Sequence, residues 1–185
     1  MFQRWIMPFF AVAIWAASSN VAFAHERYYE FDGTHFALSI ERFMGVDYTD
    51  FEGPVKGRAT GRFLLNADEY VPTNFARFGF DVFLGRLSLG VAGGATTENT
   101  AIFAPRVGYL FGLTPQIGLW LRGGAFYAHA GTSYFGVTAE ALFGFFPYPN
   151  IAIHLGPTVD FAFAENNRPD YISLGLPQLG MTAWL

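Results

Sequence analysis

Ser133, His129 and Glu98 are the nearest this chain comes to a nucleophile, a base and an orienting acid. Acyl transfer by such a set needs the three groups within hydrogen-bond reach of one another. Nothing in their spacing separates them from ordinary loop polarity, so no enzyme is expected. The histidines, His25, His35, His129 and His154, are scattered without the short separations of a metal-binding set, and the chain has no cysteine. Gly93-Gly94 and Gly123-Gly124 fall in extended segments, where glycine relieves crowding rather than cradling phosphate. No cofactor and no metal are expected.

A second constellation is larger. Glu41, Arg77, Asp81, Arg106, Arg122, Glu140, His154 and Asp160 are spread along the chain at roughly one or two per extended segment. Sealed from water, such groups must pair, because a lone buried charge costs several kcal/mol, to an order of magnitude. Their chemistry would be a network of salt bridges. The alternative is a narrow ion path or a proton-responsive site centred on His154, whose imidazole ordinarily titrates near neutral pH.

The segments that carry these residues alternate in polarity. In IAIHLGPTVDFAFA, every second residue from Ile151 is apolar, while Ala152, His154, Gly156, Thr158, Asp160 and Ala162 are small, polar or ionisable. Successive side chains on a strand point to opposite faces, so the pattern predicts a strand with one greasy and one polar side. Similar segments run over approximately 35–49, 74–84, 87–97, 102–113, 117–129, 133–147, 151–164 and 171–185, with Gly, Pro and Asn turn signals between them. Eight such strands joined as consecutive hairpins predict an all-β, antiparallel up-and-down barrel.

Which face looks inward follows from chemistry. The polar face is mostly Gly, Ala, Ser and Thr with few charges, too sparse for a solvated exterior but suited to a narrow lumen. The other face is Phe, Leu, Val and Ile throughout, as contact with acyl chains requires. Composition agrees, with 52% hydrophobic and only 14% charged residues. The expectation is an eight-stranded transmembrane barrel with ionisable groups inside. A net charge of −4 argues against nucleic acid as a partner.

Residues 1–24 read as a secretory signal peptide: Arg4, an apolar run from Trp5 to Ala17, and the cleavage pattern Ala22-Phe23-Ala24. The barrel domain then spans 25–185. Tyr48, Tyr127, Tyr134 and Tyr171 at one set of strand ends, and Phe83, Phe145, Phe146, Tyr148 and Trp184 at the other, predict two interfacial aromatic girdles. Two residues break the alternation. Arg42 falls on the lipid side with Phe36, Leu38 and Ile40, at about 2–4 kcal/mol near mid-depth, and a bulge that re-aims it is the favoured resolution over a partner subunit or snorkelling. At Pro177-Gln178 the parity flips, which a bulge would explain together with the missing proline N–H.

SIERFMGVDYT, ARFGFDVF, LSLGVAGG, FAPRVGYLF, LWLRGGAFY and HLGPTVDF carry a resemblance to the small eight-stranded outer-membrane barrels of the outer membrane protein A and X kind. The closer resemblance is to barrel-domain proteins of myxobacteria and their relatives. It implies an outer-membrane location and a structural or surface-interacting role, with no activity attached. The chain departs from the usual terminal phenylalanine of such barrels, ending in Leu185.

Together these readings predict a monomer in outer-membrane lipid with a plugged lumen. The external segment Asp50 to Thr73 bears Lys56, Arg58 and Arg62, suited to lipopolysaccharide phosphates or an extracellular protein ligand. A small channel for ions or apolar solutes is the alternative. A lipid-modifying enzyme built on Ser133 is a more distant one.

Overall fold

The computed structural model describes residues 33–51, 58–63, 76–95, 100–148, 150–165 and 170–185. Residues 1–24, read from sequence as a signal peptide, and Lys56 lie outside them. Nine strands follow one another: β1 (Thr34–Phe51), β2 (Arg58–Phe63), β3 (Arg77–Leu84), β4 (Leu87–Ala95), β5 (Thr100–Thr114), β6 (Ile117–Ala130), β7 (Ser133–Tyr148), β8 (Ile151–Ala164) and β9 (Tyr171–Trp184). Each antiparallel ladder joins neighbours, and β1 pairs with β9 to close the ring. Eight strands, β1 and β3 to β9, make that ring. The ladder continues to Leu185, whose N–H donates to the Phe36 carbonyl at 2.8 Å.

β2 lies inside the segment read as an external loop. Its residues pair with the distal half of β1, from Met44 opposite Phe63 to Thr49 opposite Arg58. The reason is a mismatch of length. β1 has 18 residues and β3 only eight, and the β1–β3 ladder ends at Glu41 opposite Arg77. The rest of that edge of β1 needs hydrogen-bond partners, and β2 supplies them.

Closure sorts the side chains by parity. In β7 and β8 buried and accessible residues alternate nearly without exception. Thirty large hydrophobic residues of the described chain are exposed on the outside, among them Phe78, Phe103, Val107, Phe143 and Phe163. No soluble monomer presents a continuous apolar belt of this extent, whereas a barrel wall in lipid must. Val107 stands opposite Leu89 and Gly123, level with the charged layer inside. Val107→Arg is therefore expected to cost about 2–4 kcal/mol in denaturant titrations of vesicle-inserted protein. An unchanged midpoint would contradict lipid contact at that depth.

The turns use glycine where geometry demands it. Gly85, with φ of 60°, begins the two-residue connection between β3 and β4, the left-handed position that tight hairpins reserve for glycine.

Both breaks in parity are bulges. In the β1–β9 ladder, Ile40 faces Met181 but Met44 faces Leu179, so β1 uses two extra residues there. Glu41 and Arg42 both turn inward as a result, and Arg42 is buried, away from lipid. On β9, Gly175 and Gln178 face Asp47 and Gly45, one extra residue, and the inward set changes from odd to even numbers at Pro177.

The girdle expectation is corrected in five places. Tyr134, Tyr171, Phe83, Phe146 and Trp184 are buried, while Tyr48, Tyr127 and Tyr148 face outward. Phe83 follows Arg77, Gly79 and Asp81 at two-residue steps, so alternation itself sends it inside. Ring type and strand-end position did not outweigh parity.

Candidate functional site

Inside the barrel, side chains gather in three layers. At the end where β1 begins, Phe83, Leu110, Trp120, Leu142, Phe146 and Trp184 form an apolar cluster with Ala37 and Ala152. Phe83 meets Trp120 at 5.2 Å and Trp184 at 5.9 Å between ring centroids, and Phe146 meets Trp184 at 5.3 Å. At the opposite end Ile102, Phe126, Tyr134 and Tyr171 cluster with four alanines. The ionised residues lie between. The interior read from sequence as polar thus carries its ion pairs in the middle and apolar clusters on both sides of them.

That middle layer is one alternating chain of charge. Arg106 forks onto Asp81, through Nε at 3.0 Å and through Nη2, and donates through Nη1 to Glu41 Oε2 at 2.5 Å. Glu41 Oε1 also accepts from Arg122 Nη1 at 2.8 Å and from the Ser39 hydroxyl at 2.5 Å. Arg122 Nε reaches Glu140 Oε2 at 2.5 Å. Glu140 Oε1 takes Arg42 Nη2 at 2.7 Å, and Arg42 bridges to Asp160 at 2.5 Å and 3.0 Å and to the Thr138 hydroxyl at 3.0 Å. Arg77 approaches Asp160 at 3.9 Å. Read in order, Asp81, Arg106, Glu41, Arg122, Glu140, Arg42, Asp160 and Arg77 alternate in sign, four carboxylates against four guanidiniums.

Burial explains the arrangement. Every member is nearly sealed from solvent, so each charge has lost its water and only an opposite charge with good geometry offsets that loss. Guanidinium is the suitable cation, since its planar fork serves two carboxylates at once. Small residues give these long side chains room. A Cβ on Gly79 would stand 2.2 Å from Ser39 Oγ and 2.7 Å from Glu41 Oε1.

Trp120 joins the charged layer to the apolar cluster. Its ring lies 4.5 Å from the Arg122 guanidinium carbon and 5.9 Å from that of Arg106. Its indole N–H donates to the Ser88 hydroxyl at 3.0 Å. His154 stands edge-on to the same ring with centroids 6.3 Å apart, and its Nε2 lies 3.0 Å from Thr182 Oγ1.

Of the residues singled out from sequence, Glu41, Arg77, Asp81, Arg106, Arg122, Glu140 and Asp160 come together in one network. His154 is buried beside them but bonds to Thr182. Arg42 is the member that strict alternation put on the wrong side. The adjacent charges Glu41-Arg42 were the available signal: both cannot point inward without an irregular backbone, and either one in lipid is costly. Arg42 has φ of 52°, a left-handed conformation costing a non-glycine residue about 1–2 kcal/mol, offset by its ionic contacts. Asp47, bonded to Gln178 Nε2 at 2.6 Å, is a further buried carboxylate at the inward parity.

Arg58 and Arg62 belong to β2, opposite Thr49 and Gly45. Ser133 and His129 stand opposite one another where β6 turns into β7, and the Ser133 hydroxyl lies 3.1 Å from that of Tyr127. Glu98 falls outside the described residues. Among the described residues no cluster of His, Cys, Asp or Glu could hold a metal ion.

A closed antiparallel barrel of eight strands, apolar outside and ionised within, defines the class: a small membrane-spanning β-barrel. Among solved structures it is similar to Neisserial surface protein A, at 10% identity over 82% of this chain and 99% of that one, with a TM-score of 0.54. Weaker similarities are to the N-terminal barrel domain of Pseudomonas aeruginosa OprF, at 10% identity over 80% and 97% of the chains with TM-score 0.44, and to Ail of Yersinia pestis, at 11% identity over 83% and 100% with TM-score 0.44. At these identities the likeness is one of fold. No protein-family model matches the chain, and no curated protein does.

Proposed function

We propose that the protein is a monomeric outer-membrane barrel with a non-conducting lumen, acting as a structural or surface-contact element. The observation that carries this is the alternating chain of ion pairs flanked on both sides by apolar layers. An ion moving along the axis would have to part aromatic and aliphatic side chains, break charge-assisted hydrogen bonds, and cross the second apolar layer. Each step costs several kcal/mol by order of magnitude. An outer-membrane location is supported by the apolar belt and by the barrel fold shared with a Neisserial surface protein.

With the lumen occupied, contacts outside the membrane fall to the connections between strands. The segment Asp50 to Thr73, through Lys56, Arg58 and Arg62, suits lipopolysaccharide phosphates or an acidic protein surface. The kinship with myxobacterial barrel-domain proteins belongs to this same reading. Catalysis is not part of it. Planar-bilayer recording of the purified mature protein tests the reading: no stable conductance steps are expected, and reproducible steps would replace it with a small channel. Replacing Lys56, Arg58 and Arg62 together by Gln while scoring lipopolysaccharide binding tests the surface role: weaker binding is expected, and unchanged binding would overturn it.

A further inference from the structure

The wall of the barrel is not uniform. Away from the turns, its ladder irregularities gather on β1 and β9, the strands that meet at the closing seam. Shifts on β5–β6 and β7–β8 lie beside their turns. On its other edge β1 changes neighbour at the same level, from β3 up to Glu41 to β2 from Met44 onward. A ring is hardest to hold where backbone pairing is interrupted, because lipid supplies no replacement hydrogen bonds.

Arg42 sits at this place. Going round the ring from β1, the next strands are β9, β8 and β7. Arg42 passes over β9 through the lumen and bonds Asp160 on β8 and Glu140 and Thr138 on β7. Its contacts therefore span the seam from inside. Further along, Gln178 Nε2 to Asp47 at 2.6 Å and Thr49 to Ser173 at 3.0 Å add side-chain rungs between β1 and β9. The backbone at Arg42 is left-handed, a conformation that persists where its surroundings enforce it.

We propose that Arg42 is the latch of the seam: closure of β1 on β9 is conditional on its guanidinium reaching the carboxylates of β7 and β8. The bulge at Glu41–Phe43 forms only once those strands stand in place, so ring closure comes last. Arg106 holds the same kind of buried pairs but does not cross the seam, since its partners lie on β1 and β3. That makes it the control.

The test is hydrogen–deuterium exchange of the mature protein in lipid vesicles. Arg42→Met is expected to speed exchange on the order of tenfold or more in 37–49 and 171–182 while β5 and β6 stay protected. Arg106→Met should not show this focus on the seam. A uniform increase over all strands, or an unchanged seam, overturns the latch. Because Arg42→Met risks failing to fold, a second measurement uses the otherwise cysteine-free chain. Disulfide formation during refolding is timed for L38C/A183C across the seam and for L121C/A141C across β6–β7, with Arg42 or with Arg42→Lys. The seam pair is expected to form later and to be slowed by Arg42→Lys. Simultaneous formation, unaffected by lysine, refutes the proposal.

Discussion

Glu41→Ala is expected to lower barrel stability by about 3–5 kcal/mol, because it leaves two buried guanidiniums facing each other without their shared counter-ion. Glu41 accepts from both Arg106 and Arg122, and Ser39 also donates to it. Removing it cuts the alternating chain near its centre. Arg106 keeps its two bonds to Asp81 and Arg122 its one to Glu140, so neither cation becomes wholly unpaired, but each loses one charge-assisted contact. Urea titration of vesicle-inserted protein, followed by the heat-dependent shift in gel mobility, reads the loss directly. A triple change, Glu41→Leu with Arg106→Met and Asp81→Asn, should recover part of it, since it removes that end of the chain without leaving Asp81 as a buried charge lacking its guanidinium, and Arg122 keeps Glu140. A midpoint for Glu41→Ala equal to wild type would show that water or ions already screen the network.

Trp120→Ala is the second large effect, with an expected loss of about 3–5 kcal/mol. The ring is buried, packs at a tilt against Phe83, carries the Arg122 guanidinium on its face and bonds Ser88. Its removal opens a cavity at the boundary between charged and apolar layers and leaves the Ser88 hydroxyl without that donor. Trp120→Phe keeps most of the volume but loses the indole N–H, and should cost markedly less. If alanine and phenylalanine variants melted together, the hydrogen bond rather than the packing would dominate. Bilayer recording of Trp120→Ala is informative too: a conductance appearing only there would place the main barrier to ions in the apolar layer.

Much of this fold was legible in the residues alone, because a strand writes its two faces into the sequence with a period of two. Alternation placed β3 to β9 to within a few residues, put Phe, Leu, Val and Ile on the outside, and assigned Arg77, Asp81, Arg106, Arg122, Glu140, His154 and Asp160 to the interior. For Phe83, Phe146, Trp184, Tyr134 and Tyr171, ring type and strand-end position suggest an interfacial girdle, but parity sends each of them inside.

Other features depend on the closed ring. Alternation tells which side a residue faces but not which residue lies across the lumen, since that depends on strand order and on the stagger accumulated around the barrel. Hence Arg42 finding Glu140 and Asp160, or Glu41 uniting Arg106 with Arg122, is decided by closure. The strand at Arg58–Phe63 appears because β1 outruns β3 and its spare edge needs hydrogen bonds. The bulge that turns Arg42 inward is likewise tertiary: the local backbone prefers regular extension, and the contacts of Arg42 with Glu140, Asp160 and Thr138 across the lumen offset the left-handed conformation.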